Sequence, residues 1–101
     1  MRHARAEALD TLETLLARVR GFDALIETSR GVFYLRRRAF LHFHEDPTGL
    51  FADARIARGG EFERLKVDDK AGADQLVGRI EAFLAGGQVA AAAASEATRL
   101  S

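Results

Sequence analysis

Phe40-Leu41-His42-Phe43-His44-Glu45-Asp46-Pro47-Thr48-Gly49-Leu50-Phe51-Ala52-Asp53-Ala54-Arg55-Ile56 is the stretch whose reading decides the fold. Its middle, Asp46-Pro47-Thr48-Gly49, has the chemistry of a turn: Asp at the first position, Pro to preset φ, Gly at the end. The flanks are rich in β-formers, so the stretch reads as a β-hairpin. Strand side chains alternate between faces. On the first strand Leu41, Phe43 and Glu45 share one side, and Phe40, His42 and His44 share the other. On the return strand Leu50, Ala52, Ala54 and Ile56 oppose Phe51, Asp53 and Arg55. Pairing Glu45 with Leu50 places Phe43 opposite Ala52 and Leu41 opposite Ala54. That register gives one unbroken apolar face. A one-residue slip would mix polar and apolar residues on both faces.

This register gathers chemistry on the second face. His42 falls opposite Asp53, His44 opposite Phe51, and Phe40 opposite Arg55. The Cα atoms of His42 and His44 are expected roughly 6.5–7 Å apart. Four readings of the cluster follow, taken in order. The first is a half-exposed sheet face with a His42–Asp53 cross-strand pair, framed by Phe40, Phe51 and Phe33. The second is a homodimer interface, a setting in which aromatics and Arg are enriched. The third is a small-molecule or catalytic pocket, with a histidine held by Asp53 and an anion held by Arg55. The fourth is a zinc site of His42, His44 and Asp53, for which the sequence offers no evident fourth ligand.

Outward from the hairpin, Val32 to Leu35 reads as a strand and Arg36-Arg37 as a tight turn that lacks Gly or Asn. Phe22 to Thr28 reads as a short edge strand followed by a turn. On the other side, Arg58-Gly59-Gly60-Glu61 is a turn and Phe62 to Val67 a strand. Leu9, Leu12, Leu15, Leu16 and Val19 form one apolar stripe at helical spacing, predicting a helix from about Ala4 to Arg20 that stops at Gly21. Asp68 and Asp69 are candidate N-caps for a second amphipathic helix carrying Leu76, Val77, Ile80, Phe83 and Leu84, ended by Gly86-Gly87. The expected fold is α+β: an antiparallel four- or five-stranded meander with N- and C-terminal helices packed on one face. Residues 1–87 are expected to form one domain, and 88–101 an Ala-rich helix or frayed tail.

Composition narrows the function classes. The chain has 101 residues, enough for one domain with a modest core. Its formal net charge is zero, which speaks against a dedicated nucleic-acid binder. Residues 1–40 carry eight cations against five carboxylates, and the remainder is acidic in compensation. Arg36-Arg37-Arg38 therefore reads as a solvated turn before it reads as a phosphate contact. There is no cysteine, hence no disulfide or thiolate metal site. No run is long and apolar enough for a membrane span. The basic start Met1-Arg2-His3-Ala4-Arg5 leads into an amphipathic segment and lacks a signal-peptide core. A cytoplasmic bacterial protein is expected; the bacterial assignment comes from the preference for Arg and Ala over Lys. Gly59-Gly60 lacks the Gly-Lys-Ser/Thr ending of a phosphate loop. Ser29 sits on no nucleophile elbow.

The stretch from Phe40 to Asp53, with its His-X-His and acidic turn, resembles the central hairpin of luciferase-like domain proteins. The order helix, meander, helix is similar to YjbR-like domains. The resemblance implies an α+β fold and a binding role, with His42, His44 and Asp53 as the matching positions. It carries over no catalytic residue, no luciferase activity and no flavin. The leading expectation is a non-catalytic module that self-associates, as a homodimer, or binds a partner through the second face, with no cofactor. The alternative is a small-molecule or metal-binding protein that uses His42, His44, Asp53 and Arg55, with zinc as its metal.

Overall fold

The hairpin from Phe40 lies in the middle of the sheet, and five of the six expected pairs across it are present. The ladder stops short of Phe40 and Arg55, which share only a backbone hydrogen bond from Arg55 N to Phe40 O. Leu41 pairs with Ala54, His42 with Asp53, Phe43 with Ala52, His44 with Phe51, and Glu45 with Leu50. The computed structural model describes residues 1–96, with side chains described through residue 86.

In chain order the elements are β1 (Arg2–His3), α1 (Ala6–Thr11), α2 (Glu13–Arg20), β2 (Leu25–Ser29), β3 (Val32–Leu35), β4 (Arg38–Asp46), β5 (Gly49–Ala54), β6 (Glu63–Lys66) and α3 (Lys70–Glu96). Strands β2 to β6 form an antiparallel meander with neighbours in sequence order. This is the α+β fold expected. The long strand β4 also takes β1 along its C-terminal half, pairing Arg2 with Glu45 and His3 with His44.

One sheet face is covered by helices. Leu41, Phe43, Ala52, Ala54, Leu65 and Phe33 supply the sheet side of the core. Leu12, Leu15, Leu16 and Val19 meet them from the first helical segment, and Leu76 and Ile80 from α3. The apolar stripes of both helices thus close over the apolar face of the hairpin.

Several details depart from the sequence reading. The first helix is interrupted at Leu12, whose φ of −91° and ψ of 6° leave the helical range. Hydrogen bonds cross the break, Leu12 N to Ala8 O and Leu16 N to Leu12 O, so Leu12 still reaches the core. The Arg36-Arg37 turn has φ of 55° and 75°, the left-handed pair of a two-residue hairpin loop, built without Gly or Asn. Asp69 caps α3 by accepting from Gly72 N, whereas Asp68 accepts from Leu50 N and ties the helix start to β5. The stop at Gly86-Gly87 is absent, because α3 continues to Glu96. Each Gly costs about 1 kcal/mol inside a helix, and the alanine-rich stretch that follows has the highest helix propensity. The part of the expected tail from 97 to 101 lies outside the described residues. No helix among the described residues is long and apolar enough to cross a membrane.

Candidate functional site

The sheet face away from the helices brings three histidines together. His42 and His44 point to this face from β4, as alternation requires. His3 joins them because β1 pairs His3 directly with His44. The three residues each offer a ring nitrogen, and these atoms lie within 4.8 Å of one another. His42 Nδ1 and His44 Nε2 are 2.9 Å apart. The ring of His3 stacks on that of His44, with centroids 4.8 Å apart.

Beside this cluster sits Asp53, which is only 8 % exposed. Its Oδ2 lies 3.2 Å from His44 Nε2. Its two oxygens also accept from Arg64, Nε to Oδ1 and Nη2 to Oδ2, each at 2.7 Å. Arg64 reaches Asp53 because β5 and β6 pair these residues directly. The proton position that satisfies both contacts of His44 Nε2 places a hydrogen there, shared between Asp53 Oδ2 and the lone pair of His42 Nδ1. Nδ1 of His44 is buried and meets no hydrogen-bond partner, although the Arg2 backbone alongside weakly favours the protonated ring.

Electrostatics keep the two central rings neutral. Burial lowers the His42 pKa, and the neighbouring His44 lowers it further, against the opposing pull of Asp53. Burial also lowers the His44 pKa, again opposed by Asp53. The Asp53 carboxyl is held below its usual range, first by the hydrogen bonds from Arg64. The cluster therefore presents uncharged imidazoles next to a fixed carboxylate.

The remaining expected residues divide. Phe51 lies opposite His44 and Lys66 and is half-buried, as the register required. Arg55 sits at the border of the face. It donates from Nε to Ala39 O and from Nη1 to Gly60 O, and its guanidinium lies 4.2 Å from the centre of the Phe62 ring. Phe62 in turn stands 5.1 Å from His42 and supplies the aromatic wall. Phe40 does not frame this face. Phe33 pairs with Leu41 while Tyr34 pairs with Ala39, so Phe40 is the extra residue of a β-bulge. Its ring turns into the core, 1 % exposed and 5.6 Å from Phe83. Phe33 is a core residue as well.

The converging metal-type donors are thus His3, His42 and His44, with Asp53 beside His44 and engaged by Arg64. Sequence reasoning missed His3, Phe62 and Arg64. A two-residue strand has no periodicity to read. Arg64 could have been found by extending the register argument one strand further, from Asp53 across to β6.

Neither a family model, nor a curated protein, nor a solved structure matches the chain.

Proposed function

We propose that this domain is a metal-binding module that holds a zinc-class divalent cation on His3, His42 and His44. The observation behind the reading is the convergence of three imidazole nitrogens within 4.8 Å. Zinc takes histidine nitrogens at about 2.0–2.1 Å, which puts neighbouring ligands of a tetrahedron roughly 3.3–3.4 Å apart. The separations of 2.9 Å and up to 4.8 Å bracket that value, so ring rotations of modest size complete the set.

Chemistry supports the same choice. Neutral imidazole is the ligating form, and burial disfavours the charged rings of His42 and His44. A cation on His44 Nε2 would take the place of its hydrogen, with the ring proton carried on Nδ1 instead. Imidazole donors suit Zn, Cu, Ni and Fe, not the hard Mg and Ca ions. The Asp53 carboxylate adds a negative charge near the cation, and Arg64 fixes its orientation. Three histidine ligands leave a fourth position for water or a small ligand, and His3, which is exposed, lies on the solvent side.

Zinc titration of untagged protein against a chromophoric chelator tests this. One ion per chain is expected, with at least tenfold weaker binding in His3→Ala and loss in His42→Ala/His44→Ala. Zinc uptake equal in the wild type and the double variant would overturn the reading. Self-association through the same face is the second reading. Phe62, 39 % exposed and lying over His42, is the observation behind it. Light scattering at rising concentration, with and without zinc, separates the two: a monomer that binds zinc supports the first alone.

A further inference from the structure

A second site lies at the other end of β4. A cleft of about 530 Å³ opens between the β3–β4 hairpin, the loop before β6 and the middle of α3. That volume lies within the usual range of small-molecule pockets. Its apolar wall is Leu35, Phe40, Phe83 and Leu84, and its polar rim is Arg36, Arg38 and Arg55.

The cleft gathers three arginines that no carboxylate offsets, a condition that elsewhere among the described residues holds only singly, at Arg5, Arg37 and Arg58. Arg2, Arg18, Arg20, Arg30, Arg64 and Arg79 each meet a carboxylate. Among the described residues, Arg36, Arg38 and Arg55 meet none. Arg55 is held in place by two carbonyls and the Phe62 ring, so its orientation is set without its charge being neutralised. Arg36 stands at the first position of the left-handed β3–β4 turn and lines the cleft from there.

We infer that this cleft binds a small amphipathic carboxylate, its apolar body against Leu35, Phe83 and Leu84 and its carboxylate on the guanidinium groups of Arg36 and Arg38. The apolar wall alone would take any greasy molecule. The unpaired guanidinium groups select an anion, because planar forks match a carboxylate with two parallel hydrogen bonds. This site is independent of the histidine cluster and of any metal there.

Octanoate is a suitable probe, followed through the backbone amide signals of labelled full-length protein by two-dimensional NMR. Saturable shifts are expected at residues 35–40, 55, 60 and 83–84, which also reports that the fold is intact. Arg36→Gln/Arg38→Gln should weaken binding at least tenfold. Arg37→Gln/Arg58→Gln removes the same net charge outside the cleft lining and should leave binding within about twofold. Three results would each overturn the inference: 1-octanol binding as tightly as octanoate, inorganic phosphate producing the same shifts at the same concentration, or both double variants weakening binding equally.

Discussion

Asp53 and Arg64 face each other across the β5–β6 ladder and close a two-point ion pair, with both N···O distances 2.7 Å. The carboxylate is buried and the guanidinium is half open, so the pair is not symmetric in its energetics. Removing Arg64 strands a desolvated carboxylate beside two neutral imidazoles. Arg64→Met should lower stability, by less than breaking a fully buried pair does, because water reaches the arginine. Urea denaturation measures it. Asp53→Asn/Arg64→Met should recover part of the loss, and a double variant no more stable than Arg64→Met would count against this account of the pair.

The turn between β3 and β4 places Arg36 and Arg37 at φ of 55° and 75°. Asn-Gly is the favoured pair for this loop. Replacing Arg36-Arg37 by Asn-Gly should therefore raise stability by about 1 kcal/mol, a rise of roughly 4–8 °C in melting temperature for a domain of this size. The same change removes one rim cation of the cleft, so stability and octanoate affinity should move in opposite directions.

Two glycines of α3 make a matched pair. A Cβ at Gly72 would collide with the Lys66 carbonyl oxygen and press on Val67, because the helix starts tight against the end of β6. Gly72→Ala should cost about 1–3 kcal/mol as an overpacking change. At Gly78 a Cβ meets open space. Gly78→Ala should stabilise by about 0.5–1 kcal/mol through helix propensity alone. Thermal melts of the two variants should shift in opposite directions.

Acid should weaken the network of Glu13, Glu27, Arg20 and Arg30. The Glu13 carboxyl is held below its usual value near 4.5 by hydrogen bonds first from Arg30 and then from Arg20. Glu27 is lowered mainly by Arg20. A carboxylate with a depressed folded-state pKa contributes stability above its unfolded value and loses it as pH falls through the folded value. Melting temperature should thus drop below about pH 4.5, and Arg20→Gln should shrink the difference between pH 6 and pH 3. An unchanged difference would show that these bonds contribute nothing to folding.

Much of the fold was legible because the hairpin states its own register. Leu41, Phe43, Ala52 and Ala54 admit only one pairing that keeps a face apolar, and that pairing fixed the positions of His42, His44 and Asp53. Phe40 was misplaced because strict alternation cannot foresee an inserted residue; the bulge turns two successive side chains, Phe40 and Leu41, toward the core. His3 was illegible for a different reason. Its strand is two residues long and exposed, so nothing in hydrophobic pattern marks it. The partner of Asp53 was misjudged for a third: across from His42 on one side it also has Arg64 on the other, and the charged neighbour takes both carboxylate oxygens.

The strand that brings His3 is fastened by few contacts: two paired residues, Ala4 N to Phe43 O, Glu45 accepting from Arg5 N and meeting Arg2, and the His3 ring against those of His44 and His42. None of its side chains is buried. A cation on the three histidines would therefore act as a clasp, joining positions about forty residues apart in the chain. Docking of the first strand and occupancy of the site become one equilibrium, so the amides of Arg2 and His3 should exchange with solvent more slowly when zinc is added.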